Sequence, residues 1–597
     1  MSNERITENI VREHFKKCPD IILEEQQSAN DKIKRLLKNS SKNGNADGRP
    51  DFIIQLNNNH NLVIIVECKF DINKHESNTQ DNYKDYAVDG VKLYASFLSK
   101  EYDVIAIAVS GNKDNLKVSH FLQLRGTQNI EKLFKNEKNI LISANDLLGY
   151  YEKDDRKYNQ YFLKLLNYAE ELNQLLYDNA VLEASRSLLI AGILIVLQNK
   201  SFVSSYKTRD NIKNLIEDFL STIRAELEKV KTKHIEDIMN VFSFVKSHTI
   251  LSKDLNIFKN IIEQIDNNIN NFIKTYQYRD VLGQVYIEFL SYAMSDKKSG
   301  IVLTPPHITE LFCELANVNE NSIVLDNCSG TGGFLIAAMS QMLKKANGEQ
   351  EKIKSIKDKQ LIGIEKMNEM YALLCCNMAV HGDGRSNLFK GSCFDNEFKD
   401  NILKLHPNVG FLNPPYNIKE DELLFIKNNL SFLEKGSICV AIIPMSCVLA
   451  QKGSRLEYKK QLLQEHTLLG VLSMPTELFK NSDVSVPTCI IIFKAKEPHP
   501  KEQETWFGYC KDDGFCNRKT QGRADYHNKW NDIKQKWLNA FRNKKEIVGF
   551  SVMKEVKAED EWCVEAYMET DYNQLNKKDF EDVLKKYIAY QLINDKL

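Results

Sequence analysis

Two stretches of this chain carry side chains whose types and spacing can do chemistry. The first, GRPDFIIQLNNNHNLVIIVECKF, contains Asp51, Glu67 and Lys69. Two β-branched runs, DFIIQL and LVIIVECKF, flank the turn-forming NNNHN, which predicts a hairpin. With Leu56 facing Leu62, Asp51 falls opposite Glu67, because paired numbers keep a constant sum. Glu67 and Lys69 share a face, since strand side chains alternate. Two carboxylates and an ammonium therefore meet at one end of the hairpin. That set suits Mg²⁺-dependent phosphodiester hydrolysis. Asp51, Glu67 and the backbone carbonyl of Cys68 are hard oxygen ligands, and a bound Mg²⁺ lowers the pKa of its water. Lys69 would orient that water and offset negative charge in the transition state. The bland alternative is a solvent-facing hairpin end with an ion pair.

The second stretch begins at SIVLDNCSGTGGFLIAAM, which reads as a strand, a glycine-rich turn and a helix. Asp326, Gly330, Gly332, Gly333 and Phe334 are candidate cofactor contacts at this junction, where glycine lets backbone approach a ligand. No Lys-Ser or Lys-Thr follows the glycines, so this is not a phosphate-binding P-loop. An acid at the strand end suits a ligand with an amino group, such as S-adenosylmethionine. Glu365 ends the next strand, LIGIE, and can accept hydrogen bonds from ribose hydroxyls. The turn alone is weak. The decisive addition is FLNPPYN, with Asn413, Pro414, Pro415 and Tyr416. The Asn413 side-chain carbonyl and the Pro414 backbone carbonyl can hold both hydrogens of a planar amino group and expose its nitrogen to a methyl sulfonium. Tyr416 can stack on a base removed from the duplex.

The first set resembles the PD-(D/E)xK nucleases, with Pro50-Asp51 and Glu67-Cys68-Lys69 as the signature. QDNYKDYAVDGVKLYA resembles the helix beside that hairpin in restriction-type nucleases, which makes Gln80 and Tyr83 or Tyr86 candidates to approach the site; core or surface packing is the alternative for each. The second set resembles the γ-class amino-group DNA methyltransferases, most closely the modification subunits of Type I restriction systems, over about residues 280–495. VLTPPHITELF, VLSMPTELF and VPTCIIIF extend that resemblance. It implies that Thr304 and Pro305 help bind the cofactor and that adenine is the target. One departure is Ser392 in GSCF, where the family often has an acid that contacts the cofactor's adenine; Asp395 is the candidate substitute. Methylation of a protein glutamine is the runner-up reading of NPPY, but it leaves the nuclease-like hairpin unexplained.

These motifs need elements to hold them. Residues 1–150 read as mixed α/β, with an opening helix, a polar loop from Asn39 to Arg49, the hairpin and a further strand at YDVIAIAVSG. Residues 151–297 are nearly free of Pro and Gly, with apolar residues at helical spacing, and predict a helical connector. Residues 298–500 alternate strands with helices, the pattern of a mostly parallel, doubly wound Rossmann-like sheet. Residues 501–597 are basic, then helical. From Arg518 to Lys545, nine Lys and Arg face only Asp525 and Asp532. Trp530, Ile533, Trp537 and Phe541 recur there at helical spacing, which favours a packed helix with a solvated basic face over a base-contacting surface. The tail NKKDFEDVLKKYIAYQL is amphipathic and could pack internally or dock on a partner. The expected fold class is α/β multidomain: PD-(D/E)xK-like nuclease, helical connector, Rossmann-like methyltransferase, helical tail.

The chain has 597 residues, too many for one core. Its 13 cysteines lack a CxxC pair, which suits reduced cytoplasmic thiols better than disulfides or zinc. The strongest apolar run, Leu188 to Leu197, is about half of the ~20 residues of a membrane span. A net charge of −1 excludes a uniformly basic nucleic-acid binder. No P-loop motor motif occurs. Nuclease, connector and methyltransferase in one chain resemble the Type IIB and Type IIG restriction-modification proteins. About 100 residues after the methyltransferase suit the Type IIB arrangement, in which a separate specificity subunit reads double-stranded DNA within a hetero-oligomer. The alternatives are an adenine methyltransferase with an inactive nuclease domain, and a non-catalytic DNA-bound scaffold.

Overall fold

In the N-terminal third, β-branched runs long enough to be buried on both faces build a six-stranded sheet. The structure, a computed structural model, describes residues 4–275, 303–569 and 577–593 apart from 39, 42–46, 58, 128–129, 135, 137, 153–154, 383–386, 417–418, 480–485 and 519–521. Much of the expected polar loop from Asn39 and the end of the expected helical region lie outside the described residues. The chain divides into two compact units, Met1–Gln160 and Tyr161–Leu597.

In the first unit, β1 (Ile21–Glu25), β2 (Phe52–Leu56), β3 (Asn59–Lys69), β4 (Asp103–Gly111), β5 (Leu116–Gln123) and β6 (Glu131–Lys132) lie side by side in chain order. All neighbours are antiparallel except β3 and β4. Parallel neighbours need a crossover, and the helix Ala87–Leu98 supplies it. Phe52, Ile54, Ile64 and Val66 pack on one face with Val11 and Phe15 of the helix Glu4–Phe15. Ile53, Val63 and Ile65 pack on the other with Val88, Val91 and Tyr94. Cover on both faces is why these strands read as continuous apolar runs.

The hairpin register agrees with the constant sum from Phe52↔Val66 to Gln55↔Val63, which leaves Asp51 and Glu67 at the next position along. It departs from expectation at the turn: Leu56 pairs with Asn59, not Leu62. Here β3 starts inside NNNHN, and an irregularity absorbs the difference. The Asp51–Glu67 end is unaffected because the slip lies at the opposite end of the ladder.

The second unit begins with helices. Glu183–Val196 is buried almost throughout and packs against Ile212–Lys229 and against Asn368–Val380 of the following α/β layer. Lys390 also pairs with Asp237 at 2.5 Å. These helices therefore lie against the methyltransferase-like layer. Among the described residues, no single helix is long and apolar enough to cross a membrane.

The second sheet contains β7 (Val324–Asp326), β8 (Leu361–Glu365), β9 (Asn387–Lys390), β10 (Val409–Leu412), β11 (Ile438–Pro444), β12 (Thr467–Ser473), β13 (Thr488–Lys494) and β14 (Glu504–Tyr509). A small hairpin, β15 (Cys516–Arg518) and β16 (Gly522–Ala524), precedes β17 (Ser551–Glu555). The order is β17-β14-β12-β13-β11-β10-β7-β8-β9. β11, β10, β7, β8 and β9 are parallel, while β13 and β17 run antiparallel to their neighbours. The sheet is mixed, with a parallel core. The expected boundary at residue 500 falls inside it: β14 adds to β12 and β17 to β14, because Trp506 and Phe507 are fully buried there. The expectation of a basic and helical end missed these short strands amid mixed composition. The helix Trp530–Arg542 buries Trp530, Trp537 and Phe541, the packed reading of that stripe.

One buried side chain gives the first unit a pH dependence. His120 on β5 is buried and neither ring nitrogen has a partner among the described residues. Burial, with Lys138 adding, pushes its pKa down from 6.5 to about 4. As pH falls, the unfolded chain takes up the proton first, so this contribution is intact above pH 6.5 and is lost between 6.5 and 4. Between pH 7 and 5 it should cost about 2 kcal/mol. His120→Leu should remove that part of the slope, read as urea dependence of hydrogen exchange at β4 and β5 amides. Equal slopes in the two proteins would refute it.

Candidate functional site

In the second unit the chain runs from β7 outward to β8 and β9, then returns to place β10 on β7's other side. The crevice at such a reversal, beyond the carboxyl ends of the strands, is where open α/β sheets bind ligands. The glycine-rich turn follows β7 and the NPPY segment follows β10, so the topology brings both motifs together. A buried asparagine network joins the two strands. Asn429 Nδ2 donates to Phe411 O at 3.3 Å and Asn327 Oδ1 at 3.1 Å. Asn327 Nδ2 donates to Asn428 Oδ1 at 2.9 Å and Phe425 O at 3.2 Å. Gly410 is required beneath it, since a Cβ there would lie 1.9 Å from Asn429 Oδ1.

A cavity of about 450 Å³ opens beside these strand ends, and Gly330, Glu365, Ser392, Asn413 and Pro415 line it. Its size is that of a small-molecule site. Gly330 has φ 53°, and a Cβ on it would meet no atom within 4 Å, so a ligand can reach the backbone. Glu365 accepts from Gly330 N at 2.9 Å and Met367 N at 2.8 Å. Burial raises its pKa, and those N–H groups oppose the rise. Asn413 Nδ2 donates to Thr304 Oγ1 at 3.0 Å, which fixes which end of the amide is the acceptor. A polar strand-end carboxylate, open backbone at Gly330 and apolar Ile364 and Phe425 fit a nucleoside-bearing cofactor such as S-adenosylmethionine.

Other expected contacts lie behind this lining. Asp326 is fully buried, and its Oδ1 accepts from Cys328 N at 3.0 Å. Burial pushes its pKa up to about 8, with Glu365 adding to the rise. It braces the turn and does not line the cavity. Gly332 (φ 89°) packs the turn onto the helix Asn368–Val380, where a Cβ would meet Leu374 Cδ1 at 2.7 Å. Gly333 opens the helix Gly333–Lys345, and Phe334 is a core residue packed on Phe312 and Phe411. Pro305 precedes the helix Pro306–Leu315. Pro414 is buried. Tyr416 is buried too, edge-on to Phe479 with ring centroids 6.3 Å apart. Asp395 accepts from Ser392 N at 2.9 Å and serves the turn, not the cavity. Sequence reading missed Phe394, Phe425 and Met367 in the lining. The aromatic at the end of GSCF was the available signal for the first.

In the first unit, Asp51, Glu67 and Lys69 do come together. Asp51 Oδ2 accepts from Cys68 N at 2.6 Å. Lys69 Nζ lies 3.3 Å from Glu67 Oε1 and 2.9 Å from Glu4 Oε1. Burial lowers the Lys69 pKa, but Glu67, Glu4 and Asp51 outweigh it and hold the ammonium above its ordinary value. Glu4 was not foreseen, because an acid in an opening helix looks like dipole compensation. The Cys68 thiol lies in the core and burial pushes its pKa up, so only its backbone is suited to a metal. Among the described residues, no three His, Cys, Asp or Glu side chains cluster to hold a metal. Two carboxylates and a carbonyl would suit an ion that keeps several waters, as Mg²⁺ does. Gln80 is exposed and bonded to Glu76 and Lys92; Tyr83 and Tyr86 are half-buried. The tyrosine near the acids is Tyr94, whose hydroxyl accepts from Arg49 N at 3.3 Å. Burial, then Glu67, raises its pKa.

The chain is similar to known proteins. The chain is 28% identical to the Type II restriction enzyme and methyltransferase RM.BcgI of Heyndrickxia coagulans over 640 aligned positions, covering 99% of this chain and 97% of that one. It is 23% identical to the Type I restriction enzyme EcoEI methylase subunit of Escherichia coli, over 42% of this chain and 54% of that one. A solved chain of a type I R-M system matches with a TM-score of 0.50 at 18% identity, covering 73% of this chain and 99% of that one, a likeness of fold. The N-6 DNA methylase family model matches residues 277–595, more than half of the chain. This chain belongs to the N-6 DNA methylase family.

Proposed function

We infer that the chain is a bifunctional restriction-modification subunit: a Mg²⁺-dependent DNA endonuclease and an S-adenosylmethionine-dependent N6-adenine DNA methyltransferase that acts with a separate specificity subunit. The observation that carries it is the Asn413–Thr304 bond at the rim of the cavity lined by Gly330 and Glu365. S-adenosylmethionine supplies an electrophilic methyl group on sulfur. Asn413 Oδ1 and the Pro414 carbonyl would accept the two amino hydrogens of adenine and direct the nitrogen lone pair at the methyl, so that the nitrogen gives up its surplus proton to solvent after the transfer and not before it. Glu365 would accept from ribose hydroxyls, Phe394 and Phe425 would pack against the cofactor's base, and Tyr416, buried against Phe479, would support the target base from behind the lining. Asp51, Glu67 and the Cys68 carbonyl would hold Mg²⁺, which lowers the pKa of bound water. Lys69 orients the water and offsets charge on the scissile phosphate. The full-length likeness to a relative named both restriction enzyme and methyltransferase supports two activities in one chain. The likeness to a methylase subunit of a Type I enzyme supports a partner.

Asp51→Ala or Lys69→Ala should abolish Mg²⁺-dependent cleavage and leave methylation intact; wild-type cutting by both variants would sink the nuclease reading. Asn413→Ala should slow methyl transfer roughly 10²–10³-fold, with N6-methyladenine as the wild-type product; methylcytosine would contradict the target. The purified chain alone should not discriminate one DNA sequence from scrambled duplexes, because reading base edges takes a dedicated surface. Deleting residues 577–597 should weaken capture of the specificity subunit from its native host. Sequence-specific methylation by the isolated chain would overturn the two-subunit arrangement.

A further inference from the structure

The segment that carries Thr304 is fixed from the far end of the chain. Pro305 and Pro306 follow Thr304, and Pro306 opens the helix Pro306–Leu315. Each proline locks φ, so the seat of the helix start dictates where Thr304 lies. Residues 513–542 grip that helix at both ends. At its end, Lys534 pairs with Glu314 at 2.7 Å, and Arg542 Nη2 donates to Glu314 O at 2.9 Å. At its start, His307 stacks on Phe515 (centroids 3.9 Å apart) and meets Trp530 edge-on at 4.9 Å. His307 Nε2 lies 3.1 Å from Asp513 Oδ2, and Arg523 Nη2 donates to Asp513 Oδ1 at 2.6 Å. A carboxylate accepts only, so Nε2 carries the proton.

His307, Asp513 and Arg523 are 7%, 1% and 7% exposed. A buried ionic cluster is a weak source of stability, since desolvation consumes most of the Coulomb gain and an apolar cluster of equal volume would hold the helix as well. What the cluster adds is direction: the carboxylate, itself held by Phe515 N at 3.1 Å, bonds both His307 and Arg523 and so fixes the position of the helix start. The Asn413 amide depends on that position through its 3.0 Å bond to Thr304. A shift of about 1 Å would release the amide, and misplacements of that size cost on the order of 10² in rate.

We propose that Asp513 is a positioning residue for methyl transfer. By bridging His307 and Arg523 it seats the helix start and, through Pro305 and Pro306, holds Thr304 where it orients the acceptor of Asn413. The proposal rests on the reading of Asn413 as the amino-group acceptor. Neither Asp513 nor Thr304, expected as a cofactor contact, lines the cavity, so the bridge acts on turnover and not on cofactor affinity.

The test uses the full chain purified with its native partners, with single-turnover methyl transfer and S-adenosylmethionine binding measured on the same preparations. Asp513→Asn should slow transfer roughly 10- to 100-fold and leave the cofactor Kd within about threefold. Combined with Thr304→Val it should slow transfer no further than Thr304→Val does alone, because both act through one contact. Should Asp513→Asn fail to fold, His307→Gln, which keeps a donor toward Asp513, should retain most of the rate that His307→Ala loses. An unchanged rate in folded Asp513→Asn, losses that multiply with Thr304→Val, or a Kd that weakens in step with the rate would each overturn the proposal, as would equal rates for the two His307 variants. Asn413→Ala separates the layers: if it is inactive while Asp513→Asn is wild-type, only the positioning role fails; if it retains full activity, the acceptor reading fails as well.

Discussion

The contact between β7 and β10 is the constraint on which the methyl-transfer crevice depends. Both strands end at the point where the order of the sheet reverses, and a buried Asn327–Asn428–Asn429 cluster ties them. Such a polar cluster is worth burying only when its groups are satisfied. Here backbone carbonyls and neighbouring amides satisfy its donors, and Gly410 leaves the room. From that joint the glycine-rich turn leaves on one side and the NPPY segment on the other. Their separation is set before any side chain of the site is considered.

Burial acts on the acids of this unit with opposite results. Among the described residues Asp326 has one backbone N–H and no cation beside it, and desolvation pushes its pKa to about 8. Burial also disfavours ionised Asp513, but His307 and Arg523 outweigh it and hold the pKa at about 2. Partners, not depth, decide which buried acid is a charge. Asp326 is thereby a neutral brace beneath the turn, and Asp513 an anionic anchor for a helix.

The first unit solves a different problem, that of holding like charges together near a sheet. Its strands are covered on both faces, so polar side chains are displaced to the ends of β2 and β3. There the Lys69 ammonium lies between Glu67 and Glu4, and a backbone N–H takes one oxygen of Asp51. The proposed hydrolytic chemistry would draw on these acidic oxygens and on the ammonium fixed beside them.

The sequence by itself determined whatever local periodicity and short spacing encode. The register from Phe52 to Gln55, the shared face of Glu67 and Lys69 and the strand–turn–helix around Gly330 were all legible, because each rests on neighbours a few residues apart or on the alternation of a strand. The turn pairing Leu56 with Asn59 was not, since an irregular ladder leaves no periodic mark. Only the tertiary structure decided which motif residues face the cavity. It turned Phe334 into core and Asp326 into a neutral brace, and it brought Phe394 and Phe425 to the lining. It also brought Glu4 to Lys69, Asp513 to His307, and β14 and β17 onto the sheet. Those pairings join segments tens to hundreds of residues apart, and burial, which sets both packing and charge state, is a property of the assembled chain and not of any local stretch.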